Sequence, residues 1–232
     1  MNKLPVFKKL ILLTIFTIFP VITNADSNIA PTAEETSPLM AGVKASDFTV
    51  YNVDGSPYEF NAENLERTTL IITFRGGWCP YCNTQLNELR NVMPEIKKMG
   101  VDILFLSGDR PEILYSNLKQ ETQEFIDGLD YTILSDARLE MGMAYGLAFR
   151  VPDDTISRYQ SRNWDLDESS MENHKALSVP AVYVIDTNGM IAFAYANPDY
   201  RVRLPADEVK EAVEEVINQQ PLFELGPPSM DM

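Results

Sequence analysis

The stretch Phe74-Arg75-Gly76-Gly77-Trp78-Cys79-Pro80-Tyr81-Cys82 closes one structural pattern and opens another. Before it, residues 70–74 form a short apolar run that reads as a buried strand. After it, Leu86, Leu89, Val92, Met93 and Ile96 recur on one helical face, and Gly100 behind Lys97 and Lys98 is a stop, so helix is expected from Pro80 onward. The two cysteines therefore sit where strand gives way to helix. With Cys79 as N-cap, Pro80 takes the first helical position, where its missing N–H costs nothing. The Cys82 N–H is then expected to point back at the Cys79 sulfur, and the positive helix end favours thiolate over thiol at Cys79. Two intervening residues place both sulfurs on one turn, which lets Cys82 attack a mixed disulfide on Cys79.

Cysteine count narrows the chemistry. The chain holds two cysteines and a single histidine, His174. A structural zinc site draws four ligands from such residues, so zinc is disfavoured by counting. A purely structural disulfide is weak as well, because so small a loop removes little unfolded-state entropy. Exchange chemistry is left as the reading of the pair, and no metal or organic cofactor is implied.

The start of the chain bears on compartment. Lys3, Lys8 and Lys9 precede an apolar run over residues 10–23, and Thr23-Asn24-Ala25 offers small residues for cleavage after Ala25. The run is about 14 residues against the roughly 20 a membrane span needs, and Pro20 interrupts it. Residues 1–25 are read as a signal peptide, with export to the periplasm or beyond and no membrane insertion after cleavage. That cleavage removes three lysines and no acid, moving the formal charge from -15 to -18. So acidic a surface repels phosphate backbones and anionic lipid, which argues against nucleic acid as a partner.

Organisation follows from periodicity and turn signals. Residues 26–45 show no sustained pattern and read as a flexible lead-in. Residues 48–53 and 58–60 flank Asp54-Gly55-Ser56-Pro57 as a hairpin. Further strands are expected at 101–107 and 131–134, with helices from Pro111 to about Phe125 and over 139–148. Residues 153–175 are polar and mixed, an inserted segment with one short helix. A closing hairpin turns at Thr187-Asn188-Gly189 between 182–186 and 190–195, and a last helix covers 206–218 before a loose tail from 219 to 232. The whole reads as one α/β domain over 46–218, a central mixed sheet with helices on both faces and an N-terminal hairpin extension.

Phe74 to Cys82, together with Val179-Pro180 before a strand, resembles the thioredoxin superfamily. More closely, Asp47-Phe48-Thr49-Val50, Leu134-Ser135-Asp136, Val184-Ile185-Asp186 and Asn197-Pro198-Asp199-Tyr200 resemble the peroxiredoxin-like branch of the AhpC/TSA family. That resemblance implies a thioredoxin-like fold, a cis peptide before Pro180, and a substrate groove formed by Trp78, Pro80, Tyr81, Val179 and Pro180 around catalytic Cys79 and Cys82. It also carries a conflict. Peroxiredoxins place a threonine three residues before the peroxidatic cysteine and an arginine across the site; matched on Cys82, those positions hold Cys79 and Pro180.

Three functions stay open on these grounds. The first is a thiol–disulfide oxidoreductase in redox homeostasis, with Cys79 attacking, Cys82 resolving and dithiol or disulfide proteins as partners. The second is a thiol-dependent peroxidase, with peroxide as substrate, Cys82 peroxidatic and Cys79 resolving. The third is a binding module with a permanently closed disulfide. Arg75 and His174 read as surface residues, and Tyr200, Arg201 and Arg203 as solvated loop residues.

Overall fold

In the computed structural model, residues 28–129 and 131–219 are described; the signal peptide and most of the tail expected from the sequence lie outside them. Among the described residues, nine strands form two sheets. The main sheet contains β1 (Phe48–Tyr51), β2 (Pro57–Phe60), β3 (Thr69–Phe74), β4 (Asp102–Ser107), β5 (Thr132–Ser135), β8 (Ala181–Ile185) and β9 (Ile191–Ala196) in the order β2-β1-β5-β4-β3-β8-β9. Strands β3, β4 and β5 run parallel, whereas β1–β2, β1–β5, β3–β8 and β8–β9 pair antiparallel. Strands β6 (Ala148–Arg150) and β7 (Ala176–Ser178) form a separate two-stranded sheet.

Every residue of β3 is buried, as expected for a strand covered on both faces. Its alternation divides the core. Leu70, Ile72 and Phe74 join one cluster with residues of α1 (Pro80–Leu89), α2 (Met93–Lys98) and α7 (Ala206–Gln219). Ile71 faces the other cluster, with Phe48, Phe60, Leu104, Leu134 and Tyr183. The mixed sheet between helical layers is the architecture expected from the sequence.

Several boundaries differ from the sequence reading. The helix after Pro80 is two helices, because Pro94 lies in the first turn of α2 and has no N–H to give the Arg90 carbonyl. The helix expected from Pro111 breaks into a 3-10 turn, Pro111–Ile113, and α3 (Gln120–Ile126). Between them the chain is tied to the cysteine loop: the Asn117 side chain donates to Asp109, and the Lys119 N–H donates to Asn83 Oδ1. Helix α4 (Glu140–Ala144) is also shorter than expected, ending before Gly146, whose φ of +67° breaks the helical path.

The inserted segment holds two helices, α5 (Asp153–Gln160) and α6 (Ser170–His174), and it contributes buried Tyr159, Leu166 and Met171 to the core. Residues 28–45 likewise depart from the expected flexible lead-in. They form a strap in which Ala30 and Arg150 N–H groups donate to Ala148 and Ala30, Ser37 and Leu39 to Gly146 and Tyr145, and Gly42 and Ala45 to Ile191 and Gly189. Backbone hydrogen bonds to β6, to Ile191 at the start of β9 and to the turns before them supply the order that its polar, aperiodic sequence does not advertise.

Candidate active site

Strand β3 delivers Arg75-Gly76-Gly77-Trp78 to the start of α1. Cys79 is the N-cap, with φ -80° and ψ 120°, and Pro80 follows in the first turn, as the spacing predicts. The loop is fastened from two sides. Asn83 donates through Nδ2 to the carbonyls of Gly77 (2.6 Å) and Cys79 (2.9 Å). The Gly77 N–H donates to Asp109 Oδ2 at 2.6 Å, and the Ser107 hydroxyl donates to the same oxygen at 3.0 Å. A side chain at Gly77 would meet the Asn117 carbonyl carbon at 2.6 Å and the Leu118 nitrogen at 2.7 Å, so this position needs glycine for close backbone approach.

Both thiols are free and buried, Cys79 at 1% and Cys82 at 0% exposure. The electrostatics reverse the expectation drawn from the helix start. The Cys82 N–H donates to the Cys79 carbonyl at 3.1 Å, and its pull on the Cys79 sulfur is the weakest of the effects on that thiol. The hydrogen bond to Cys82, followed by burial, holds the Cys79 thiol well above its ordinary value. Burial alone would push Cys82 upward too. The hydrogen bond from Cys79, the charge of Arg203, the Arg75 N–H and the charge of Arg75 together outweigh it and bring Cys82 down to about 6. The Arg203 cation beside Cys82 favours the negative charge of the pair on that sulfur.

Arg203 Nη2 lies 3.5 Å from Cys82 Sγ. Arg75 is 5% exposed, not a surface residue, and its Nη2 donates to the Tyr159 hydroxyl at 3.0 Å. Tyr200 covers the Arg75 guanidinium at 4.2 Å, with the rings of Trp78 and Tyr159 at 5.3 and 5.7 Å. Neither arginine stood in the expected site. Arg203 comes from the loop after β9, about 120 positions along the chain from the sulfur it touches, and only the fold brings it there. The one local signal for Arg75 was its place at the end of a fully buried strand.

The expected groove residues divide. Trp78 is buried in a stack with Trp164, centroids 4.8 Å apart, and packs against Tyr159. Pro80 and Tyr81 are exposed, and Tyr81 meets Tyr200 edge-on at 5.6 Å. Val179 and Pro180 are buried. The cis peptide expected before Pro180 is not present: the described residues contain no cis peptide bond. Here the trans chain is held by Thr73, whose hydroxyl donates to the Val179 carbonyl (3.2 Å) and accepts the Ala181 N–H (2.8 Å), bridging the residue that lacks its own donor. Val179 lines a cavity of about 320 Å³ with Leu39, Met40 and Ala194, which neither cysteine lines. His174 ends α6, and its carbonyl accepts from Arg150.

A model of the AhpC/TSA family matches residues 41–194, which include both cysteines and all of β1 to β8. The chain belongs to the AhpC/TSA family. This AhpC/TSA member is 28% identical over 109 residues to the thiol-disulfide oxidoreductase ResA of Halalkalibacterium halodurans, covering 46% of this chain and 57% of that protein. It is 32% identical over 111 residues to peroxiredoxin Bcp of Escherichia coli, covering 48% and 67%. The chain thus spans little more than half to two-thirds of the curated relatives it matches. In fold it resembles a peroxiredoxin-like protein from Aquifex aeolicus, with a TM-score of 0.54 at 21% identity over 78% of this chain and 89% of the other. The reduced 2-Cys peroxiredoxin of Plasmodium vivax superposes with a TM-score of 0.56 at 16% identity, covering 83% and 89%.

Proposed function

We propose that this protein is a thiol-dependent peroxidase in which Cys82 is the peroxidatic residue, Cys79 the resolving thiol, and a partner dithiol protein the reductant. The carrying observation is the Cys82 sulfur, fully buried, hydrogen-bonded to Cys79 and 3.5 Å from the Arg203 guanidinium. A thiolate beside a cation is the reactive form of cysteine, and the burial of Cys82 restricts its oxidant to a small molecule. The Cys82 thiolate attacks one peroxide oxygen, the O–O bond breaks, and the departing alkoxide or hydroxide takes a proton. Cys82 is left as sulfenic acid. Cys79 then attacks that sulfur, forming the Cys79–Cys82 disulfide and releasing water with the Cys79 proton. Two electrons from a dithiol restore the pair. Likeness to both a peroxiredoxin and a thiol-disulfide oxidoreductase supports a cycle with these two halves. The basic and apolar start of the chain supports placing it outside the cytoplasmic membrane.

Direct exchange with protein disulfides is the second reading, favoured by Tyr81, which is 43% exposed beside the helix start. Rapid mixing of reduced protein with hydrogen peroxide separates the two. Under the peroxidase reading, the Cys79→Ser variant accumulates sulfenic acid on Cys82 far faster than free cysteine does. A rate no faster than free cysteine overturns it.

A further inference from the structure

A buried guanidinium, Arg75, and a half-buried one, Arg203, both act on the Cys82 sulfur, and their hydrogen-bonding capacity is not used up. Arg75 Nε, Arg203 Nε and Arg203 Nη1 are buried and have no hydrogen-bond partner. Unused donors of charged groups inside a protein are costly. Among the described residues no carboxylate hydrogen-bonds to either arginine. Asp199, on the same loop as Arg203, is taken by Arg201 through hydrogen bonds of 2.9 and 2.8 Å. The aromatic faces of Tyr200, Trp78 and Tyr159 compensate Arg75 in part.

The local charges balance in one redox state alone. In the dithiol state the two cations stand against the Cys82 thiolate and the buried Asp109 carboxylate, whose field reaches Cys82. Closing the disulfide erases the thiolate charge. One guanidinium is then left without a counter-charge, with N–H groups in the planar fork that suits a carboxylate.

We infer that the Arg75–Arg203 pair is a redox-linked anion site that takes up one small monoanion, of formate size and charge, when the Cys79–Cys82 disulfide forms and releases it on reduction. Reduction of the disulfide then consumes two electrons and one proton, the proton returning to Cys79, and expels the anion as the Cys82 thiolate takes its place. The inference rests on the pair cycling between dithiol and disulfide, as in the proposed function, but it does not require peroxide as the oxidant.

The test follows the dithiol–disulfide equilibrium of the full chain in dithiothreitol redox buffers, with diamide used for initial oxidation. Sodium formate replaces a bulky sulfonate buffer salt at constant ionic strength and pH. The oxidised fraction of wild type should rise with formate, and above saturation the oxidation constant should grow about tenfold for each tenfold of anion. Arg203→Gln should flatten this dependence and Arg203→Lys should retain part of it. Because Arg75 is buried among aromatic rings, Arg203, on a loop, is the variant that carries the test. An equilibrium indifferent to formate in wild type, or an undiminished dependence in Arg203→Gln, overturns the inference. Loss of peroxide reactivity with the formate dependence intact would instead count against peroxide as substrate and leave the anion site standing.

Discussion

Two strands of the parallel sheet, β5 and β3 on either side of β4, each run into a helix, and the two junctions are built differently. At the end of β5, Asp136 reaches forward and accepts the N–H groups of Met141 (3.1 Å) and Gly142 (2.9 Å), so the first turn of α4 is closed by the chain's own carboxylate. Burial pushes that carboxyl up to about 7. At the end of β3, no side chain caps α1; the N-cap is Cys79, and sulfur rather than carboxylate occupies the helix start. The aspartate of this second junction, Asp109, grips the loop amide of Gly77 instead. One junction spends its polar groups on holding a helix. The other leaves the helix entrance to two thiols and braces the loop from behind, which is what a reactive pair requires.

The largest contrast between the junctions should come from the sulfurs. Cys82→Ser is expected to abolish peroxide consumption, while Cys79→Ser should complete one turnover and stop at the sulfenic acid, as stopped-flow and intact-mass measurements would show. Asp136→Ala should leave that chemistry in place but cost about 1–3 kcal/mol in urea unfolding, since it orphans two buried amides. If it altered the Cys82 titration instead, the junctions would not be separate in function. Arg203→Gln should raise the pH midpoint of Cys82 alkylation above about 6, each unit removing about tenfold of the thiolate at lower pH.

The smallest effect is a pH dependence. Asp136 keeps its proton in the folded state up to about 7 but loses it near 3.8 when unfolded. Between those values the folded chain binds more protons, so this group makes stability fall as pH rises across the window. Cys82 acts in the opposite sense: its contribution is full above 9 and is lost as pH falls through about 6. Comparing urea midpoints of wild type and Asp136→Asn at pH 5 and 7 isolates the aspartate, and the variant should show the smaller decline.

How much of this was legible in the sequence depends on the range of the interaction. The N-cap cysteine, Pro80 in the first turn, the all-buried β3 and both hairpins follow from local pattern, and the structure has them all. Residues that act across the fold left no such trace. Arg203 sits in a loop whose neighbours Arg201 and Val202 are exposed, and nothing in that run marks its approach to Cys82. Asp109 and Asn83 look like ordinary loop and helix polar residues, yet both are buried against the cysteine loop. The segment around Tyr159 and Trp164 reads as polar because its charged residues outnumber the few aromatics that turn inward. The helix end at Arg90 was readable from Pro94; the apolar stripe running through it masked the break.

The burial of both sulfurs, 1% and 0% exposed, also governs how the protein behaves at the bench. A bulky aromatic disulfide reagent applied to the native chain would register almost no thiol, and the fully reduced protein would pass for an oxidised one. Only after denaturation would the colour of two equivalents appear.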